Sequence, residues 1–304
     1  MSPVRRSLLQ IHFCVLLWGF TAILGKLISL GALPLVWWRM GLVTAALLLV
    51  PRVWRGLRRL SGRLWLCYAG IGAVVSLHWL TFYGAIKLAN ASVAATCIAL
   101  APVFLALVEP YIAGRKFAPR ELLLGVAMVP GVALVVGGLS SQMRLGVLVG
   151  AVSALLVAVF GALNKRLVDQ ADPLVVTCVE MGTGALFLTL LTPFLPHEGA
   201  LFPMPGVEDA LLLAVLAIGC TLVPFVLSLV ALRHVTAFSA QLVVNLEPIY
   251  AIVLAITLLG EQHELGPSFY AGVAIILGAV FINPVLERAV KPRLPVGPVG
   301  PSGP

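Results

Sequence analysis

The sequence predicts an all-α integral membrane protein: ten transmembrane helices arranged as two inverted five-helix repeats. Three observations carry this. The 304 residues are 61% hydrophobic and only 11% charged, where soluble domains average roughly 45–50% and 25%. A chain this apolar cannot cover itself with polar surface, so its solvent is lipid. Polar punctuation cuts it into ten apolar segments, and its second half echoes its first.

The segments lie near 8–30, 34–51, 64–86, 90–113, 119–138, 145–166, 173–194, 209–231, 237–260 and 267–285. Each has roughly the 17–25 residues a helix needs to cross a hydrocarbon core. The start, MSPVRRSLLQIHFCVLLWGF, has the basic-then-apolar order of a secretory signal. It shows no small-residue cleavage pattern and runs on to Lys26, so it reads as a retained first helix. Connections are short. The tail 287–304, rich in Pro and Gly, is expected to be disordered and cytoplasmic. Cys14, Cys67, Cys97, Cys178 and Cys220 all fall in apolar runs without a CxxC pair, a pattern of isolated buried thiols.

The net charge of +8 is a topology signal. With the N-terminus inside, the inner side collects Arg5, Arg6, the cluster from Arg52 to Arg63, Arg115, Lys116, Arg120, Lys165, Arg166, Arg233, Arg288, Lys291 and Arg293. The outer side holds Lys26, Lys87 and Arg144. That asymmetry predicts both termini in the cytoplasm, with a bacterial inner membrane as the setting. It leaves no basic face for nucleic acid.

The internal repeat is read without a gap between AIKLANASVAATCIALAPVF (85–104) and ALRHVTAFSAQLVVNLEPIY (231–250). Ala85 meets Ala231, Lys87 meets Arg233, and Pro102 meets Pro248. After one inserted residue GVAMVPG (125–131) meets GVAIILG (272–278), and WWRMG (37–41) resembles CVEMG (178–182). Five helices per half, 8–138 and 145–286, force the second half to sit upside down. Inverted repeats are the architecture of secondary transporters, whose site lies near the midplane between repeats.

WGFTAILGKLISLGALPLVWWRMGLVTAALLL, the segments ending APVF and LEPIY, and LLGE at 258–261 resemble EamA-type proteins of the drug/metabolite transporter superfamily. The first half departs from the last motif, reading AGRK at 113–116. The resemblance implies ten helices in inverted repeats and export of small metabolites. Within the superfamily the sequence looks nearest to amino-acid exporters of the YddG type.

Polar groups inside the bilayer are the candidate functional residues, because a charge there must face protein or water. The cavity candidates are Trp18 and Thr21 in the first helix, His78, Trp79 and Tyr83 in the third, Phe160 and Asn164 in the sixth, Ser228 in the eighth, and Gln241 and Asn245 in the ninth. Gln241 and Asn245 share a face, whereas Glu247 points about 160° away from Asn245. Pro102 and Pro248 predict matched bends, with Glu247 beside the second, together a candidate hinge or gate. For Glu247 two roles are open: donating a hydrogen bond that stabilises the bend, which is favoured, or exchanging a proton during transport. Arg39 and Glu180 read as structural charges near helix ends, the former bonding helix-end carbonyls or snorkelling.

No HExxH, GxSxG or P-loop occurs, and the histidines are scattered. Nothing calls for catalysis, a cofactor or a bound metal. The expected partners are the lipid bilayer and a small-molecule substrate, with no nucleic acid. Faces mixing aromatics with small polar groups suit amphipathic solutes, amino acids above all, moved by alternating access. A nucleoside, nucleotide-sugar or cationic drug is the alternative solute, and a non-transporting membrane scaffold or enzyme the alternative class.

Overall fold

The computed structural model describes residues 2–137, 139–194, 200–263 and 265–290. Fifteen α-helices run in chain order: α1 (Pro3–Leu27), α2 (Ala32–Leu48), α3 (Pro51–Leu57), α4 (Gly62–Leu88), α5 (Ala91–Cys97), α6 (Ala101–Ala113), α7 (Pro119–Val126), α8 (Val129–Gly137), α9 (Arg144–Leu167), α10 (Pro173–Leu191), α11 (Val207–Ala214), α12 (Val223–Leu232), α13 (Ala237–Val244), α14 (Glu247–Leu254) and α15 (Pro267–Val290). No strand occurs among the described residues.

Local chemistry sets the boundaries. Side-chain oxygens of Ser2, Ser61, Asn90, Asp172 and Thr236 accept the orphan amides at the starts of α1, α4, α5, α10 and α13. Gly114 and Gly260 take the left-handed conformation, φ 69° and 70°, just after α6 and after the π-helical turn Ala255–Leu259. Without a Cβ, glycine adopts it freely. The two glycines pair in the register that pairs Pro102 with Pro248. Basic side chains then close two helix C-termini, Lys165 Nζ donating to Leu232 O at 2.5 Å and Arg166 Nη1 to Ile112 O at 3.0 Å, while Arg233 Nη2 donates to Ala171 O in the α9–α10 connection at 3.1 Å. The charges that signal topology thus also tie helix ends together.

Among the described residues, seven helical stretches are long and apolar enough to cross a membrane, eight if α2 and α3, bent by 96°, count as one. All ten expected segments fall on helix, but three do not qualify alone. The α2 stretch breaks before Pro51, the segment from 119 is split into α7 and α8, and α15 is described in full only over Pro267–Ala279. The chain is an all-helical, multi-pass membrane protein. Residues 287–290 continue α15, and 291–304, the rest of the expected tail, lie outside the described residues. Four cysteines are buried as expected, whereas Cys67 is exposed.

The halves interleave. α1 packs on α12 and α14, α4 on α9 and α10, α6 on α9, and α8 on α15. Their shared core joins Val43, Tyr68 and Val75 to Leu213, Leu216 and Ala251. Close approaches use glycine: a Cβ on Gly131 would sit 2.6 Å from Gly272 O, the small-residue packing through which helices associate where lipid supplies no hydrophobic drive.

Candidate functional site

A cavity of about 130 Å³ opens between the halves. Its wall takes Trp18 and Thr21 from α1, Arg39 from α2, and His78, Trp79 and Phe82 from α4. The second half adds Phe160 from α9, Phe225 and Ser228 from α12, and Gln241, Val244 and Glu247 from α13 and α14. Drug-sized ligands fill roughly 300–1,000 Å³, so this space suits a small solute.

Arg39 is 2% exposed and lies at the eighth of seventeen positions in α2. It neither snorkels nor bonds helix-end carbonyls; its head is held inside the bundle. Its Nε donates to Thr221 Oγ1 at 2.5 Å, its Nη1 donates to Tyr83 Oη at 2.9 Å, and its guanidinium carbon stands 3.8 Å from the Trp79 ring centroid. Two backbone details permit this. Thr221 belongs to the π-helical stretch Val215–Leu222, where its hydroxyl donates to Leu216 O. The Tyr83 ring fills space that a side chain on Gly25 would occupy. Tyr83 is therefore fully buried behind the wall and holds Arg39, instead of lining the cavity as expected.

His78 is held by Ser153, whose O and Oγ lie 2.9 and 2.8 Å from Nδ1, while Ser153 Oγ donates back to His78 O at 3.0 Å. Its ring meets Phe160 at 5.4 Å, and Trp79 meets Phe225 edge-on at 6.2 Å. Such offset and edge contacts lock an aromatic wall in place.

The prolines act by restarting helices. Pro102 sits in the first turn of α6, after the 3₁₀ turn Ile98–Leu100, and Pro248 in the first turn of α14, after Asn245 and Leu246. A missing N–H costs nothing in a first turn. Leu246 N donates to Val243 O and Ile249 N to Leu246 O, i−3 bonds that carry the chain across the break. Glu247 emerges from it into the cavity wall, with no hydrogen bond to a neighbouring helix among the described residues. The bend-stabilising donor role is thus not what the geometry displays.

Asn245 and Asn164 also leave the expected cavity lining. Asn245 is fully buried, and its Nδ2 donates to Ala99 O at 3.3 Å and contacts Met128 Sδ at 3.2 Å. Gln241, which does line the wall, reaches Asn245 Oδ1 at 3.5 Å. Asn164 donates to Glu180 Oε2 at 3.4 Å beside a separate small niche formed with Tyr68 and Leu229. Glu180 is fully buried rather than open to cytoplasmic water. Glu180 Oε1 and Asn164 Oδ1 have no partner among the described residues. Asn245→Ala is therefore expected to lower the melting temperature of purified protein while raising KM less than Gln241→Ala does. Parallel melting and flux measurements on the two variants check this.

Two carboxylates missed as site elements hold the cavity-lining helices at opposite ends. Glu261 accepts Ala91 N at 3.0 Å, Ser92 N at 3.1 Å and Ser92 Oγ at 2.6 Å, closing the start of α5. Glu109 accepts Ala237 N at 3.2 Å, at the start of α13, and pairs with Arg115 at 3.1 Å. Ala91 and Ala237 pair in the repeat register, as do Arg115 and Glu261. Where the second half carries a capping glutamate, the first half carries the arginine that braces Glu109. The AGRK departure thus has a structural counterpart.

The EamA-like transporter family matches residues 5–137 and 144–283, and the chain belongs to that family. A Streptantibioticus cattleyicolor protein named "Probable terminal-alkyne amino-acid exporter" is 28% identical over 197 residues, 64% of this chain. The match spans 64% of that relative's length, just under two thirds. An "Uncharacterized transporter" of Clostridium kluyveri is 26% identical over 226 residues, 72% of this chain and 69% of its own. A crystal structure of an 18% identical protein covers 94% of this chain and 99% of its own, with a TM-score of 0.67. At that identity the likeness speaks for the fold alone.

Proposed function

We propose that the chain is a secondary exporter of small amphipathic metabolites, foremost amino acids with apolar side chains. In this reading ten spans form two inverted repeats, 8–138 and 145–286, in a bacterial inner membrane with both termini cytoplasmic. The repeats rock against one another about the central cavity. One observation carries the solute class: a small cavity walled by aromatics from both halves that also takes a guanidinium and a carboxyl group, Arg39 and Glu247, into its lining. A purely apolar solute has no use for those charges, and a phosphorylated one would want several cations. The exporter name of one relative agrees with this.

Counter-flow in proteoliposomes tests it. Vesicles preloaded with unlabelled apolar amino acids are expected to accumulate labelled leucine or phenylalanine transiently, and protein-free vesicles not. Equal accumulation in both would sink the amino-acid reading. Counter-flow confined to nucleosides or organic cations would reassign the solute.

A further inference from the structure

We infer that Arg39 and Glu247 read the two charges of a zwitterion: Arg39 takes the carboxylate of an α-amino acid and Glu247 its ammonium, with the side chain laid against the aromatic wall. This builds on the small-amphipathic-solute reading of the cavity and adds which groups select the solute.

Buried charges in a membrane protein ordinarily pair with each other. Here a guanidinium and a carboxyl group line one cavity, yet no ion pair joins them among the described residues. Arg39 is instead held by neutral groups: the Thr221 and Tyr83 hydroxyls and the face of Trp79. Those contacts fix the guanidinium plane without neutralising it, and they leave Nη2 without an acceptor among the described residues. Glu247 is only 7% exposed and receives no hydrogen bond from the described residues.

Apart from His78, no other lining residue is titratable. A monovalent solute entering this space would satisfy one charge and leave the other uncompensated in a desolvated site. A zwitterion satisfies both. Planar guanidinium matches planar carboxylate through paired N–H donors, and the ammonium, a compact triple donor, suits Glu247. The aromatic groups His78, Phe160 and Phe225 supply apolar contact for the remainder. An uncharged nucleoside or a singly charged cation gains no such double compensation.

The test measures binding to purified protein by intrinsic tryptophan fluorescence, since Trp18 and Trp79 face the cavity. The probes are L-leucine, its decarboxylated amine 3-methylbutylamine and its deaminated acid 4-methylpentanoate, with the phenylalanine, phenethylamine and 3-phenylpropionate series beside them. At least one amino acid is expected to bind about ten-fold or more tighter than both of its one-charge analogues, the scale of losing one charge-assisted hydrogen bond. Glu247→Gln is expected to lose about ten-fold for the amino acid and nothing for the acid. Arg39→Gln is expected to lose it for the amino acid and nothing for the amine. Glu247→Asp and Arg39→Lys, which keep the charges, stand in for any variant that fails to fold, with partial losses in the same order.

Equal binding of amino acid and analogues overturns the assignment, as does no binding in either series or a uniform loss of all ligands in the variants. Zwitterion-selective binding without counter-flow would sink the transport reading and leave this one standing. Amino-acid counter-flow with charge-indifferent binding would do the reverse.

Discussion

Glu261→Ala is expected to cost about 3 kcal/mol or more of stability, because three donors lose their acceptor at once and each unpartnered buried donor costs roughly 1–3 kcal/mol. Ala91 N, Ser92 N and Ser92 Oγ all bond this carboxylate, both donor residues are fully buried, and Glu261 is 2% exposed. Water cannot easily replace it. The carboxylate also sits at the positive end of a helical stretch, where a negative charge is favoured. At roughly 2 °C per kcal/mol for a chain of this size, the loss corresponds to about 6 °C in a detergent melting curve. Glu261→Gln keeps an acceptor oxygen but turns an amide N–H₂ toward a donor, so an intermediate loss is expected. Flux is expected to fall as well, because the stretch that Glu261 caps carries Ile98 into the cavity wall. A Glu261→Ala protein melting like wild type would show that these bonds do not hold the helix.

The all-helical, multi-pass character was legible because insertion depends on summed apolarity, a property of composition, while seven or eight stretches rather than ten are long and apolar enough to cross among the described residues. The aromatic wall was partly legible for a related reason. His78 and Trp79 lie deeper than an interfacial belt explains, and Phe160 shares a helix face with Ser153 and Asn164. Arg39 was not legible. Sequence supplies a depth for its Cα but not the partners that hold its head inside, and those depend on a π-helical turn at Thr221 and on absent atoms at Gly25. Helix nine shows a different failure. The angular separation of Asn245 and Glu247 correctly forbade both from lining one narrow cavity. The side chosen was Asn245, because an unbroken helix sets Glu247 about 120° from Gln241. Each 3₁₀ step in the break removes about 20° of that separation, and the geometry puts Gln241 and Glu247 on one wall with Asn245 behind. Glu261 stood in a recognisable motif, but its partner at Ala91 is 170 residues away. Such a pairing is fixed by the packing of the two halves, which no local pattern encodes.

Gly72→Leu is expected to be the most damaging single change in the membrane core. A Cβ at Gly72 would lie 2.9 Å from Glu180 Cα and closer still to Glu180 O and Thr183 Oγ1, and a Cβ at Gly184 would stand 2.7 Å from Gly72 O. The obstacles are largely backbone, so no rotamer change relieves them; α4 and α10 must move apart. Overpacking typically costs about 1–3 kcal/mol and more where the obstacle is rigid, which puts a leucine here at or above the upper end. Folded, monodisperse yield is expected to collapse. The functional consequence follows from geometry, since Gly72 lies less than two turns from His78 and Trp79 on the same helix. Even protein that folds would carry a displaced cavity wall, and its leucine affinity is expected to fall. Gly70→Leu is the control, because Gly70 is exposed on α4 and a Cβ there meets nothing within 4 Å. It is expected to stay within about 0.5 kcal/mol of wild type, as surface changes usually do. Were the two variants to melt alike, the close approach of α4 and α10 would not be what positions the wall.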